Sequence, residues 1–331
     1  GSKWWTPQRD WRGNEVTGYR GWIFQSADGR EKYPDRGVGL RADISRDFAD
    51  AAIQILEQRD RDRPFFIHVN FTAPHDPLLI PEGEKYRYQA ESLPLPPNYL
   101  PEHPFDHGNL RGRDELLLPW PRTELLVRQT LAAYYSVVTH LDEQVGRILA
   151  ALRQQGLADN TLVIYTSDHG LAVGSHGLRG KQNMYEHTIG VPLLIAGPGV
   201  PAGESLAPIY LRDLYPTVCE LTGTPLPNHA IDGVSHADVL RGEAKQHHDE
   251  VYGYFRTHQR MIRRGDWKLI HYPQIERRQL FHLADDPHEL KDLSQSAEHR
   301  EQLADLSQRM ERWFNEAEAL SQKRRERQPT K

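Results

Sequence analysis

One cysteine, Cys219, is all the thiol that 331 residues contain, so no disulfide framework can exist within the chain. Long apolar runs are missing too: none approaches the ~20 residues that a membrane-spanning helix needs. Positive charge is not in excess. The 41 lysines and arginines face 46 aspartates and glutamates, a net charge of -5, which excludes a general basic footprint for nucleic acid. The first residues, Gly1-Ser2-Lys3-Trp4-Trp5, show neither an initiator methionine nor a signal-peptide pattern, as at a processed, tagged or truncated start. What is present is a globular composition, 38% hydrophobic and 26% charged, in a chain long enough for one large domain or two unequal ones.

Residues 1–42 are rich in Trp, Arg, Gly and Asp without a clean period and read as loops. Helix signals begin near Asp43 and Ser45, both good N-cap residues, and Phe48, Ala52, Ile55 and Leu56 fall on one helical face. Phe65–Phe71 is short, apolar and stopped by Pro74, which predicts a buried strand of a parallel sheet. The Pro-rich stretch from Pro77 to Pro121 predicts mostly loop, and loops of that length inside a domain are commonly functional. The strongest helix spans Thr123 to Gln155, with Leu131, Tyr134, Val138, Leu141, Val145, Ile148 and Leu152 at three- and four-residue steps and Gly156 just past its end. Thr161–Thr166 and Val191–Ala196 are two further strands. Strands alternating with long helices argue for an α/β fold, a mostly parallel sheet covered by helices on both faces.

After residue 245 the pattern changes. Val251–Phe255, Met261–Arg263, Trp267–His271 and Gln279–Leu283 are short strands with tight turns, and Leu303, Leu306, Met310, Phe314, Ala317 and Leu320 mark a last amphipathic helix. The chain therefore divides into an α/β part, 1–244, and a smaller α+β part, 245–331, of antiparallel sheet plus helix. The basic tail 323–331 reads as a solvated end, and no internal repeat is visible.

In an open α/β sheet, ligands bind beyond the carboxyl ends of the strands, and three polar clusters follow apolar strands here. Asp168 and His169 stand side by side before Gly170, which makes a turn easy; together they could reach a metal, though two ligands are too few for a site. The plain alternative is a turn capped by the aspartate. His75 sits between Pro74 and Pro77, where a rigidly held imidazole can donate a proton or bind an anion; with 17 histidines in the chain, an ordinary loop histidine is the competing reading. Third, Gly174-Ser175-His176-Gly177-Leu178-Arg179-Gly180-Lys181, followed by Tyr185-Glu186-His187, mixes glycines and cations in a way that suits an oxyanion. Its spacing is not that of a P-loop, and a flexible surface loop would look the same. Asp285-Asp286 follows an edge strand, and Asp142 and Glu143 lie on the long helix, so neither pair is counted as a site. Trp4, Trp5, Trp11 and Trp22 suit either sugar binding or packing.

In order along the chain, these pieces resemble the sulfatases of the alkaline-phosphatase-like superfamily. The matching stretches are FFIHVNFTAPHDP (65–77), YYSVVTHLDEQVGRIL (134–149), NTLVIYTSDHGLAVGSHGLRGKQNMYEHTIGVPLLIAGPG (160–199), LRDLYPTVCELTGTPLP (211–227), IDGVS (231–235) and GDWKLIHYP with QLFHLADDPHELKDLS (265–294). The block at 160–199 is the most specific. The resemblance implies that Asp168 and His169 are ligands of a divalent cation, calcium first, with magnesium or manganese as alternatives. It implies that Lys181 holds the sulfate group and that His75 lies near the sulfate and the leaving oxygen. His176, Arg179 and His187, in the same segment, are candidate substrate contacts. A metal and a lysine would stabilise the nonbridging oxygens while a histidine assists the leaving oxygen. The substrate class implied is an aryl, alkyl or carbohydrate sulfate monoester, and the compartment implied is periplasmic or secreted.

The resemblance also implies a formylglycine nucleophile made from Cys or Ser in C/S-x-P-x-R, after a strand ending in two aspartates. Neither is in the chain: Cys219 is followed by Glu-Leu-Thr-Gly, and Ser92-Leu93-Pro94 by Leu95-Pro96. The expectation is a chain that begins after those elements and does not turn over sulfate esters by itself. Two alternatives stay open: a phosphonate monoester hydrolase or phosphodiesterase of the same superfamily, and a catalytically dead binding paralogue.

Overall fold

A computed structural model describes residues 23–25, 30–38, 41–85 and 87–326. The chain splits into two compact units, one from residues 1–95 and 123–161, the other from 96–122 and 162–331. Trp4, Trp5, Trp11 and Trp22 lie outside the described residues, as does the tail from 327.

In the first unit, β1 (Ile23–Gln25) and β2 (Lys32–Val38) pair antiparallel with a register irregularity between Ile23 and Phe24. This hairpin lies where only loop was expected, because KYPDRGV carries no alternating apolar pattern for period-2 reading to detect. Helix α1 (Ile44–Gln58) buries Ala52 and Leu56 as its spacing predicts, but Ile55 is 52% exposed. Helix α2 (Glu124–Gln154) is capped by Thr123, whose side chain accepts from Leu126 N. Of its predicted stripe Leu131, Leu141 and Leu152 are buried, and Ala133 and Val137 pack with Leu78; Asp142 and Glu143 are exposed, as expected for a solvated face. The segment 65–71 corrects the expectation of a buried strand. Among the described residues it joins no ladder, its exposure alternates residue by residue, and Phe66 is 82% exposed. Its apolar run has no strand partner among the described residues.

The second unit begins with 96–122 and continues with β3 (Val163–Thr166), the single turn α3 (Glu186–Ile189) and β4 (Leu193–Ala196). β3 and β4 pair antiparallel, Val163 opposite Ala196 and Thr166 opposite Leu193. No parallel ladder occurs among the described strands. The connection between β3 and β4, residues 167–192, contains the single helical turn α3, and the chain doubles back to pair antiparallel. Short helices α4 (Leu214–Leu221) and α5 (Ala237–Arg241) follow, with Cys219 buried in α4.

Then come β5 (Glu250–Phe255), β6 (Gln259–Arg264), β7 (Trp267–Tyr272) and β8 (Arg277–His282), an antiparallel meander in chain order. The turn Gly265-Asp266 needs its glycine, at φ +56°. Alternation sends neighbouring residues to opposite faces. Ile262, Leu269 and Leu280 meet Leu306 and Met310 of α6 (Arg300–Glu326). Met261, Ile270 and Phe281 pack on Leu178, Met184 and Tyr185 of the segment that follows β3. The small sheet is therefore a platform: one face carries the last helix, the other carries the polar segment singled out in the sequence. α6 runs on through Glu326, beyond where the solvated tail was expected to begin.

Candidate functional site

The site is built from the turn after β3. Asp168 and His169 are adjacent there, with His169 Nε2 3.4 Å from Asp168 Oδ2. The His169 backbone N–H donates to Asp168 Oδ1 at 3.0 Å, and the other ring nitrogen, Nδ1, lies 2.9 Å from Gly170 O. A donated Nδ1–H fixes the ring and presents Nε2 beside the carboxylate, the arrangement of a metal ligand with its outer-shell partner. The Asp168 side chain is 81% exposed. Among the described residues no third His, Cys, Asp or Glu joins this pair to form a ligand cluster. A carboxylate and an imidazole are donor types that suit a divalent cation.

Gly170 has a steric reason to be glycine. A Cβ there would sit 2.1 Å from His187 O, and its N–H donates to Thr188 O at 2.7 Å. From Ala172 to Gly180 every residue is buried, so this is no flexible surface loop. Ala172 N bonds Gly180 O at 3.1 Å and Gly174 N bonds Leu178 O at 2.7 Å, which closes the loop at its neck. Lys181 thus follows Gly180, which is bonded to Ala172, three positions after His169. At the tip, Gly177 stands at φ +71°, and a Cβ would lie 2.3 Å from Glu102 C.

What clamps the loop comes from 96–122, the stretch expected to be loop. Glu115 accepts from Arg179 N at 2.9 Å and from Gly180 N at 2.8 Å. Arg122, fully buried, pairs with Glu115 at 2.7 Å and donates to Gly177 O. Asp114 accepts from Gln182 Nε2 at 2.8 Å and pairs with Arg113. Burial opposes its ionisation, but the bonds from Gln182 and Arg113, with Lys181 nearby, hold its pKa below the usual range. Sequence reasoning missed Asp114, Glu115 and Arg122, since nothing in their spacing marks them.

His176, Arg179 and His187 are turned inward. His176 is 7% exposed and stacks on Tyr185, with centroids 3.9 Å apart and rings within 10° of parallel. Its carbonyl faces His103 Nδ1 at 2.8 Å. Burial, with Lys268 beside it, pushes the His176 pKa down to about 4, and burial with His107 pushes His103 down to about 3. Burial and neighbouring His176 hold His187 far below its ordinary value. Arg179 is 2% exposed.

A second clasp holds the far end of the loop. Lys268 of β7, fully buried, lies 2.9 Å from Glu186 and 2.7 Å from Glu289. Glu289 also accepts from Glu186 N at 2.7 Å, and Arg263 reaches Glu186 at 3.0 Å. His75 belongs to the first unit. Its backbone N–H donates to Thr72 O at 2.9 Å and its Nδ1 lies 2.6 Å from Asp76 O.

Residues 4–224 match the family model described as Sulfatase, and residues 174–316 match one described as N-sulphoglucosamine sulphohydrolase, C-terminal. An arylsulfatase of Clostridium perfringens is 30% identical over 261 residues, covering 76% of this chain and 54% of that protein. The chain spans about half the length of the curated relatives it matches. Among solved structures, a protein in complex with its substrate D-glucosamine-2-N,6-O-disulfate superposes with TM-score 0.67 at 24% identity, over 84% of this chain and 70% of that one. The phosphonate monoester hydrolase of Agrobacterium radiobacter does so with TM-score 0.70 at 23% identity, over 85% of this chain and 62% of that one.

Proposed function

The chain belongs to the sulfatase family, and from that premise we propose that it carries the anion-holding and half of the metal-holding machinery of a sulfuric ester hydrolase, which converts an aryl, alkyl or carbohydrate sulfate monoester to alcohol and sulfate. The observation that carries this reading is the loop after β3. Its buried backbone is clamped by Glu115 at Arg179 and Gly180, and Gly180, next to Lys181, is bonded to Ala172, three positions after His169; this supports the reading.

Asp168 and His169 would hold a divalent cation, calcium first, which when bound supplies positive charge to the nonbridging oxygens. Lys181 adds a point charge for the same oxygens. His75 is the candidate for the leaving oxygen, with Nε2 the nitrogen that exchanges the proton. His176, Arg179 and His187 support the loop from within. The motif C/S-x-P-x-R does not occur in these 331 residues, so no residue named here is the nucleophile.

The test is the whole protein that the gene encodes, assayed with aryl sulfate, aryl phosphate and aryl phosphonate esters. Sulfate ester is expected to give the highest kcat/KM, and Lys181→Ala to lower it ~10²–10³-fold, the cost of losing one donor to a developing oxyanion. An unchanged kcat/KM in that variant removes Lys181 from the site. The likeness to a phosphonate monoester hydrolase favours a second reading, and a phosphonate preference above tenfold would replace the first by it.

A further inference from the structure

Away from this loop, three segments of the second unit bring Asp213, His236 and His248 together, one ligand atom of each lying within 4.8 Å of the others. Asp213 ends the turn before α4 and is fully buried; His236 precedes α5 and is 2% exposed; the His248 side chain, before β5, is 14% exposed. We propose that these residues form a second metal site of this protein, for a zinc-class ion, that ties the loops 232–236 and 245–249 to the start of α4.

The donor set suits such an ion. Two imidazoles and one carboxylate are the ligands of three-coordinate protein sites for zinc, with a fourth position left to solvent, and imidazole suits Zn, Cu and Ni. The supporting bonds are in place. Asp213 Oδ1 accepts from Val234 N at 2.9 Å and Oδ2 from Tyr210 N at 2.8 Å, which orients the carboxylate.

His236 supplies the second observation. Its Nδ1 lies 3.1 Å from Val234 O and its Nε2 3.2 Å from Pro208 O. A neutral ring carries one N–H, so one nitrogen turns a lone pair toward a carbonyl with no proton to share. A cation at that nitrogen resolves the conflict, as a second ring proton would, and the N–H retained on the other is the outer-shell bond of a metal-bound histidine. His248 Nε2 stands 2.8 Å from Asp213 Oδ2, a hydrogen bond that a bound ion would replace. The other His/carboxylate cluster among the described residues, Glu84, His140 and Glu143, carries no such vacancy of charge, because Arg87 bonds both glutamates.

The experiment is metal analysis of the full chain after chelation, dialysis and reloading with Zn²⁺, with Co²⁺ as a spectroscopic probe. One tightly held Zn²⁺ per chain is expected, with the visible absorption of a tetrahedral Co²⁺ site in the unaltered protein. Zn²⁺ affinity should fall at least tenfold in His248→Gln, whose side chain lies nearest solvent, and in Asp213→Asn. The double variant Asp168→Asn with His169→Gln should keep both the Zn²⁺ and the Co²⁺ spectrum. No stoichiometric Zn²⁺ and no tetrahedral Co²⁺ band in the unaltered chain overturns the proposal whatever the variants do. Loss of the ion in the Asp168/His169 variant overturns it too, by placing the ion at the other pair.

Discussion

Replacing Lys268 by Met tests the clasp between the small sheet and the site loop. The Nζ is fully buried and serves two carboxylates, 2.9 Å from Glu186 and 2.7 Å from Glu289. Methionine fills similar volume without charge. Glu186 keeps Arg263 at 3.0 Å, so the loss falls on Glu289, which retains the N–H of Glu186 as its remaining donor among the bonds described. Removing one partner of a buried pair costs about 3–5 kcal/mol, a large part of the ~5–15 kcal/mol that holds a domain folded. The pH dependence has a definite sign. Burial already raises the Glu289 pKa, with Lys268 opposing it. A group whose folded pKa exceeds its unfolded value adds stability that is present below the unfolded value and lost as pH rises through the folded one. Without Lys268 the folded pKa climbs further, so the penalty of the variant grows as pH rises out of the carboxylate range toward neutrality. Urea unfolding followed by circular dichroism at acidic and neutral pH measures it. Adding Glu289→Gln should recover most of the loss at neutral pH. A penalty under about 1 kcal/mol at neutral pH, or one that is the same at both pH values, refutes the reasoning.

Other perturbations read other parts of the same unit. Gly177→Ala places a Cβ 2.3 Å from Glu102 C at a left-handed φ of +71° and should cost about 2 kcal/mol or more, seen as a lowered urea midpoint; a cost under ~0.5 kcal/mol would mean the tip is not packed as described. Glu115→Gln leaves the fully buried Arg122 without its carboxylate and should destabilise by about 3 kcal/mol, with a matching fall in thermal midpoint. His176 and His103, pushed down to about 4 and about 3 by burial, bind fewer protons folded than unfolded. Their stability is therefore present above the unfolded value near 6.5 and is lost as pH falls toward the folded values. His176→Phe keeps a ring against Tyr185 and should reduce that acid sensitivity, whereas NMR titration of His176 near pH 6.5 in the unaltered protein would contradict it.

Much of the site's chemistry was legible along the chain, because local sequence decides it. Asp168, His169 and Gly170 follow an apolar strand, and a carboxylate and an imidazole one residue apart cannot separate. The four short strands and the last amphipathic helix were readable from period-2 and period-3.6 patterns, since each buries one face against a partner close in sequence. The order of motifs was enough to point to the sulfatase family. Tertiary structure alone decided the rest. Phe65–Phe71 has a strand's composition but no ladder among the described residues, and β3 and β4 run antiparallel, because pairing depends on which neighbour arrives and not on the segment itself. The polar groups of 176–187 differ in burial, a property no spacing encodes: His176 and Arg179 are buried, while Lys181, at the neck of the loop, and His187 are half-buried. Glu115, Arg122, Lys268 and Glu289 have no sequence signature, because their partners lie from seven to more than a hundred residues away and a charge is forced into the interior only where the folded chain supplies its opposite. The same holds for Asp213, His236 and His248, three residues that become one cluster only when the loops between them close.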